Sequence, residues 1–66
     1  MQISFIGAGK VGVSLGKYFI SKGRKVGGYY SLSPKSAAWA ANFTNTKQYQ
    51  SIEEIISSSD MIFFTV

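Results

Sequence analysis

Gly7-Ala8-Gly9-Lys10-Val11-Gly12 follows directly on the β-rich run Gln2-Ile3-Ser4-Phe5-Ile6 and opens a stretch in which Val11, Leu15, Tyr18 and Phe19 recur at three- and four-residue spacing. A strand that stops at a glycine turn and leads into a helix is the setting in which G-x-G-x-x-G has a physical meaning. The first glycine makes the sharp turn, the second lets the backbone approach a diphosphate, and the third lets the helix pack close to the strand. The predicted helix runs from Lys10 to Lys22, and Gly23 stands where a left-handed cap would end it. Its first turn, around Lys10 and Val11, would present unpaired N–H groups and a partial positive charge to an anion.

Lys25-Val26-Gly27-Gly28-Tyr29-Tyr30 reads as a second strand, weakened by its glycines. Ser33-Pro34 is an N-cap with proline at the first helical position, and the alanine-rich Lys35 to Asn42 continues as helix. After a turn at Asn45, Lys47-Gln48-Tyr49 is a brief third strand. Ser51-Ile52-Glu53-Glu54 is a capping box, with Glu54 expected to reach back to the Ser51 amide, and it starts a short helix to about Ser58. Met61-Ile62-Phe63-Phe64-Thr65-Val66 reads as a buried parallel strand. The alternation β-α-β-α-β-α-β predicts an α/β fold: the amino-terminal half of a doubly wound, Rossmann-type parallel sheet with strand order 3-2-1-4.

The chain has 66 residues, 45% hydrophobic and 15% charged, with no cysteine and no histidine. Disulfides, thiolate metal sites and thiol or imidazole catalysis are thereby excluded from these residues. So short a chain ending on an apolar strand leads us to expect a truncated domain, residues 1–66 of a longer protein whose catalytic or helical domain is absent. The uncovered final strand would recruit either the next strand of the same sheet or a second copy. No secretory signal or membrane-length apolar stretch occurs, so the expected location is cytoplasmic.

All seven Lys and Arg residues lie at or before Lys47, and Glu53, Glu54 and Asp60 are the only acids, so residues 1–52 carry +7 and residues 53–66 carry −3, giving the net +4. The positives are scattered singly, without the run or aromatic pattern of a nucleic-acid site. NAD-binding domains of this type place an acid at the end of the second strand to hold the ribose hydroxyls. Here that position is Tyr30 or Ser31, and the loop Tyr30-Ser31-Leu32-Ser33-Pro34-Lys35 offers hydroxyls, helix-terminal amides and one ammonium. That set fits a 2′-phosphate, so NADP(H) is the expected cofactor and NAD(H) the less favoured one.

Ile6 to Gly12, Tyr29 to Ser33, Ile52 to Ile55 and Ser59 to Val66 together resemble the nucleotide domain of pyrroline-5-carboxylate reductase and deazaflavin-dependent NADP reductase, and most closely a bacterial Rossmann-like family of unknown function in that superfamily. The resemblance covers essentially the whole chain. It implies an NADP-binding domain followed by a helical domain that completes the site and often dimerises. Relatives usually carry an arginine between the two small polar residues after the second strand; Leu32 stands there, as an apolar contact for the adenine face. The expected cofactor-binding residues are Gly7, Ala8, Gly9, Lys10, Val11, Gly12, Tyr30, Ser31, Leu32, Ser33, Lys35 and Val66. The leading expectation is the cofactor-binding part of an NADP-dependent oxidoreductase; the alternatives are a non-catalytic nucleotide-binding sensor or scaffold, or an interaction fragment using its open edge.

Overall fold

A computed structural model describes residues 1–65. The elements follow the order β1 (Gln2–Ile6), α1 (Lys10–Ser21), β2 (Lys25–Tyr30), α2 (Pro34–Thr44), β3 (Lys47–Gln48), α3 (Ile52–Ser58) and β4 (Met61–Phe64). All strand pairings are parallel and the sheet order is β3-β2-β1-β4, as expected from the pattern.

β1 lies between two neighbours and is buried over Ile3, Ser4 and Phe5, so it forms the sheet's centre. Phe5 stacks on Tyr29 of β2 at 5.0 Å between ring centroids and meets Phe63 of β4 at 5.7 Å and Phe19 of α1 at 6.5 Å. Phe5 and Tyr29 are wholly buried. Side chains of this size stabilise a fold by roughly 1.5–3 kcal/mol each when fully buried, so this aromatic layer is the principal source of cohesion in a small core.

α1 lays on the sheet a face that only part of its apolar spacing predicts. Gly12, Val13 and Gly16 are buried, with Leu15 and Phe19 packed at the margin, while Val11 and Tyr18 stand 65% and 55% exposed. The cause is close approach: a Cβ on Gly16 would run into the Tyr29 hydroxyl, and one on Gly12 would come within 2.6 Å of Thr65 Oγ1. Gly12 and Gly16 face inward beside Val13, Leu15 and Phe19, and Val11 and Tyr18 turn outward.

The glycines of β2 serve a similar purpose. The β1–β2 register slips between Ile3 and Ser4, where Gly27 is the unpaired residue of a bulge, and a Cβ on Gly28 would strike the Lys47 carbonyl of β3. Into the space above Gly27 comes the Gln2 side chain, which donates to Tyr49 Oη at 3.2 Å and to the Ser58 carbonyl at 2.8 Å.

Helix ends follow their capping chemistry. Gly23 (φ +78°) and Asn45 (φ +58°) adopt the left-handed conformation after α1 and α2. At α3 the Ser51 hydroxyl accepts from the Glu54 amide at 3.2 Å, but the Glu54 carboxylate takes the Gln50 N–H at 2.8 Å instead of the expected Ser51 amide, and also meets Lys47 at 3.6 Å. Tyr49 lies just beyond β3, and regular pairing of β4 ends at Phe64, short of the expected Val66, which lies outside the described residues. Among the described residues β4 pairs with β1 alone, and Phe64 is 73% exposed. The strand predicted to be buried is thus a half-covered edge. No helix among the described residues is long and apolar enough to cross a membrane.

Candidate nucleotide site

In a parallel sheet of this kind ligands gather at the carboxyl ends of the strands, where the crossovers leave a crevice. The carboxyl ends of β1 and β2 are tied together here by the Gly7 N–H, which donates to the Tyr30 carbonyl at 2.7 Å. Gly7 has φ +106°, a backbone conformation that L side chains rarely adopt, so the turn requires glycine.

Thr65 holds this turn from below. Its N–H donates to the Ile6 carbonyl at 2.9 Å, its hydroxyl donates to the Gly7 carbonyl at 3.2 Å, and a Cβ on Gly7 would strike its carbonyl oxygen. No local sequence pattern singles out Thr65; the available sign is a small polar residue at the end of the strand that neighbours β1.

Beyond Gly7 the loop turns outward. Gly9 is the N-cap of α1, exposed, in extended conformation, with nothing within 4 Å of where a Cβ would stand. Its carbonyl accepts from the Val13 N–H at 3.0 Å and starts the helix, which has no side-chain cap. The amides of Ala8 and Gly9 donate to no acceptor among the described residues. Lys10 and Val11 are exposed beside them. The result is a stretch of open backbone at the positive end of a twelve-residue helix, a polarity suited to an anion. Underneath, the buried Tyr29 hydroxyl donates to the Gly12 carbonyl at 2.9 Å. Burial raises the Tyr29 pKa above its ordinary value, with the Thr44 hydroxyl opposing the shift, so the phenol remains neutral and a donor at physiological pH.

The loop after β2 forms a second cluster. The Ser31 hydroxyl accepts from the Ser33 N–H at 3.2 Å, and the Ser33 hydroxyl caps α2 by accepting from the Ser36 N–H at 3.5 Å and the Ser36 hydroxyl at 3.3 Å. Ser31 and Ser33 therefore use a lone pair inward and keep an O–H proton for an outside acceptor. Ser36, not anticipated from the sequence, adds a third hydroxyl to the cluster. Lys35 is exposed in the first turn of α2. The carboxyl end of β2 bears no acid.

Between these two regions lies an apolar cleft of about 280 Å³ lined by Ile6, Gly7, Tyr30, Ser31, Leu32 and Ile52. Leu32 is 92% exposed at its rim. Ile52, from the start of α3, is a lining residue that only the tertiary fold reveals. A larger, more open concavity of about 560 Å³ lies at the opposite end of the sheet, around Gln2, Lys25, Lys47 and Tyr49, away from the glycine turn and the α1 terminus. Of the expected site residues, Gly7 to Gly12 and Tyr30 to Lys35 fall in two adjoining loops at one end of the sheet, joined through Gly7 and Tyr30.

A parallel 3-2-1-4 sheet with a glycine-rich β1–α1 turn defines a Rossmann-type nucleotide-binding domain. The family described as "NADP oxidoreductase coenzyme F420-dependent" matches over residues 2–66, and the chain belongs to it. Among solved structures, two crystal forms of UDP-N-acetylglucosamine 3-dehydrogenase GnnA from Acidithiobacillus ferrooxidans are similar over 100% of the chain, with TM-scores of 0.85 and 0.90 at 17% identity. At that identity the likeness is one of fold. The chain spans 22% of the length of those structures. No curated protein sequence matches it significantly.

Proposed function

We propose that the chain is the NADP(H)-binding portion of an oxidoreductase, with the pyrophosphate at the Gly7–Gly12 loop, the adenine in the Leu32–Ile52 cleft and the 2′-phosphate near Ser31, Ser33 and Lys35. The observation that carries this reading is the open backbone at Gly9, the N-cap of a helix with no side-chain cap, where nothing stands within 4 Å of a Cβ position. Backbone amides and the helix terminus supply positive potential for the diphosphate; the serine hydroxyls and the Lys35 ammonium supply donors for a further phosphate. The bound cofactor would supply hydride chemistry, and this chain's residues would bind and orient it.

Titration with NADPH and NADH tests the reading. NADPH should bind at least about tenfold more tightly, a difference of about 1.4 kcal/mol. Lys35→Glu should weaken NADPH selectively by roughly 1–3 kcal/mol, the range of a charge-assisted contact. Equal affinities for the two cofactors would remove the 2′-phosphate assignment, and an unchanged preference in the variant would return Lys35 to the solvated surface.

A further inference from the structure

A glycine leaves the peptide unit that follows it free to take more than one orientation. After Gly7, at φ +106°, that unit carries the Gly7 carbonyl on one side and the Ala8 N–H on the other. The two point in opposite directions, because the peptide bonds of the described residues are trans. Whatever holds the carbonyl therefore aims the amide.

That holder is Thr65. Its hydroxyl, donating at 3.2 Å, is the only hydrogen-bond partner of the Gly7 carbonyl among the described residues. The Thr65 backbone is fixed in turn by its N–H on the Ile6 carbonyl at 2.9 Å. The hydroxyl occupies space that Gly12 leaves open, since a Cβ there would come within 2.6 Å of Thr65 Oγ1. Two glycines of the motif thus converge on one atom: Gly7 bonds to it, and Gly12 makes room for it. With the carbonyl held on this side, the Ala8 N–H points to the other, where it donates to no acceptor among the described residues. The Ala8 methyl is packed in the hydrophobic core, which keeps the residue from turning to find one.

We propose that Thr65 is a positioning residue of the nucleotide site, its hydroxyl fixing the Gly7–Ala8 peptide so that the Ala8 N–H is presented to the diphosphate. The inference rests on the diphosphate assignment made above. Thr65 acts through the peptide and not on the phosphate: it removes an orientation that the turn would otherwise sample, so that binding does not have to.

Three variants separate the hydroxyl from the bulk of the side chain. Thr65→Val removes the hydroxyl at nearly constant size, Thr65→Ala removes both, and Thr65→Ser keeps the hydroxyl; circular dichroism verifies the fold of each. In calorimetric titrations the Val and Ala variants should lose at least about fivefold in affinity, and the Ser variant should stay within about twofold of the parent. The loss should be the same for NADPH and NADH, which share the diphosphate. A side chain that only fills space gives the opposite order, with Val close to the parent and Ser weakened like Ala. In the free protein, the residual dipolar coupling of the Ala8 N–H should change in the Val and Ala variants and persist in the Ser variant. The proposal is overturned by parent-like affinity in Thr65→Val, by a loss in Thr65→Ser equal to that in Thr65→Ala, or by an unchanged Ala8 coupling in Thr65→Val. Failure of the unsubstituted chain to bind either cofactor would instead remove the diphosphate assignment on which the role of Thr65 depends.

Discussion

Gly9→Val is expected to yield a folded protein that has lost its dinucleotide. Gly9 is extended, exposed and free of neighbours, so a valine side chain meets nothing in the protein. The stability cost is limited to that of an unfavourable N-cap residue, about 1 kcal/mol. The same side chain would stand over the open backbone and hold a diphosphate away from the amides of the α1 terminus. Several charge-assisted bonds, each worth about 1.5–3 kcal/mol, would be lost together, so affinity should fall at least about 100-fold, or about 2.7 kcal/mol. Calorimetric titration, with a circular-dichroism spectrum to verify the fold, decides the matter. Normal NADPH affinity in a folded Gly9→Val protein would refute the glycine loop as the diphosphate site.

Gly16→Val should do the reverse and destroy the fold. Here a Cβ meets the hydroxyl end of Tyr29, a ring that cannot swing aside because it is fully buried, stacked on Phe5 and bonded to the Gly12 carbonyl. Overpacking costs about 1–3 kcal/mol, and displacing the buried hydroxyl from its acceptor costs about 1–3 kcal/mol more. A core this small supplies only about 3–5 kcal/mol in total. The variant should be largely unfolded at room temperature, and a urea midpoint close to that of the parent would show that the Tyr29 ring has room to move.

These two glycines also mark how far the sequence could be read. Strand and helix periods, the Ser33-Pro34 start and the Gly23 and Asn45 stops are local, and every expected element is present, with β3 and β4 ending short of the expected Tyr49 and Val66. The inward face of α1 is legible in part: Gly12 packs close to the strand as the motif requires and Leu15 and Phe19 join the core, whereas Val11 and Tyr18, which share the apolar spacing, stand in solvent because the close approach at Gly12 and Gly16 sets the helix's rotation. Glu54 was assigned the right role with the wrong partner, since its carboxylate sits between the Gln50 amide and Lys47, a residue outside the helix motif. At the candidate site, the two loops were legible because each carries its own chemistry. Thr65 and Ile52 were not, because they arrive from β4 and α3 and no spacing in the chain relates them to Gly7 or Leu32.

The glycine turn is fastened on one side only. The Gly7 N–H is committed to the Tyr30 carbonyl, whereas the neighbouring Ala8 and Gly9 amides donate to nothing among the described residues. In deuterated water the free protein should therefore show a sharp boundary within three consecutive residues: Gly7 protected to nearly the level of the β1–β2 ladder, Ala8 and Gly9 exchanging close to the rate of an unstructured peptide. Addition of NADPH should erase that boundary from the Ala8 side and leave the Gly7 rate little altered. A loop already half fixed before ligand arrives has little left to order, so the entropy lost on binding should come from the cofactor more than from the protein.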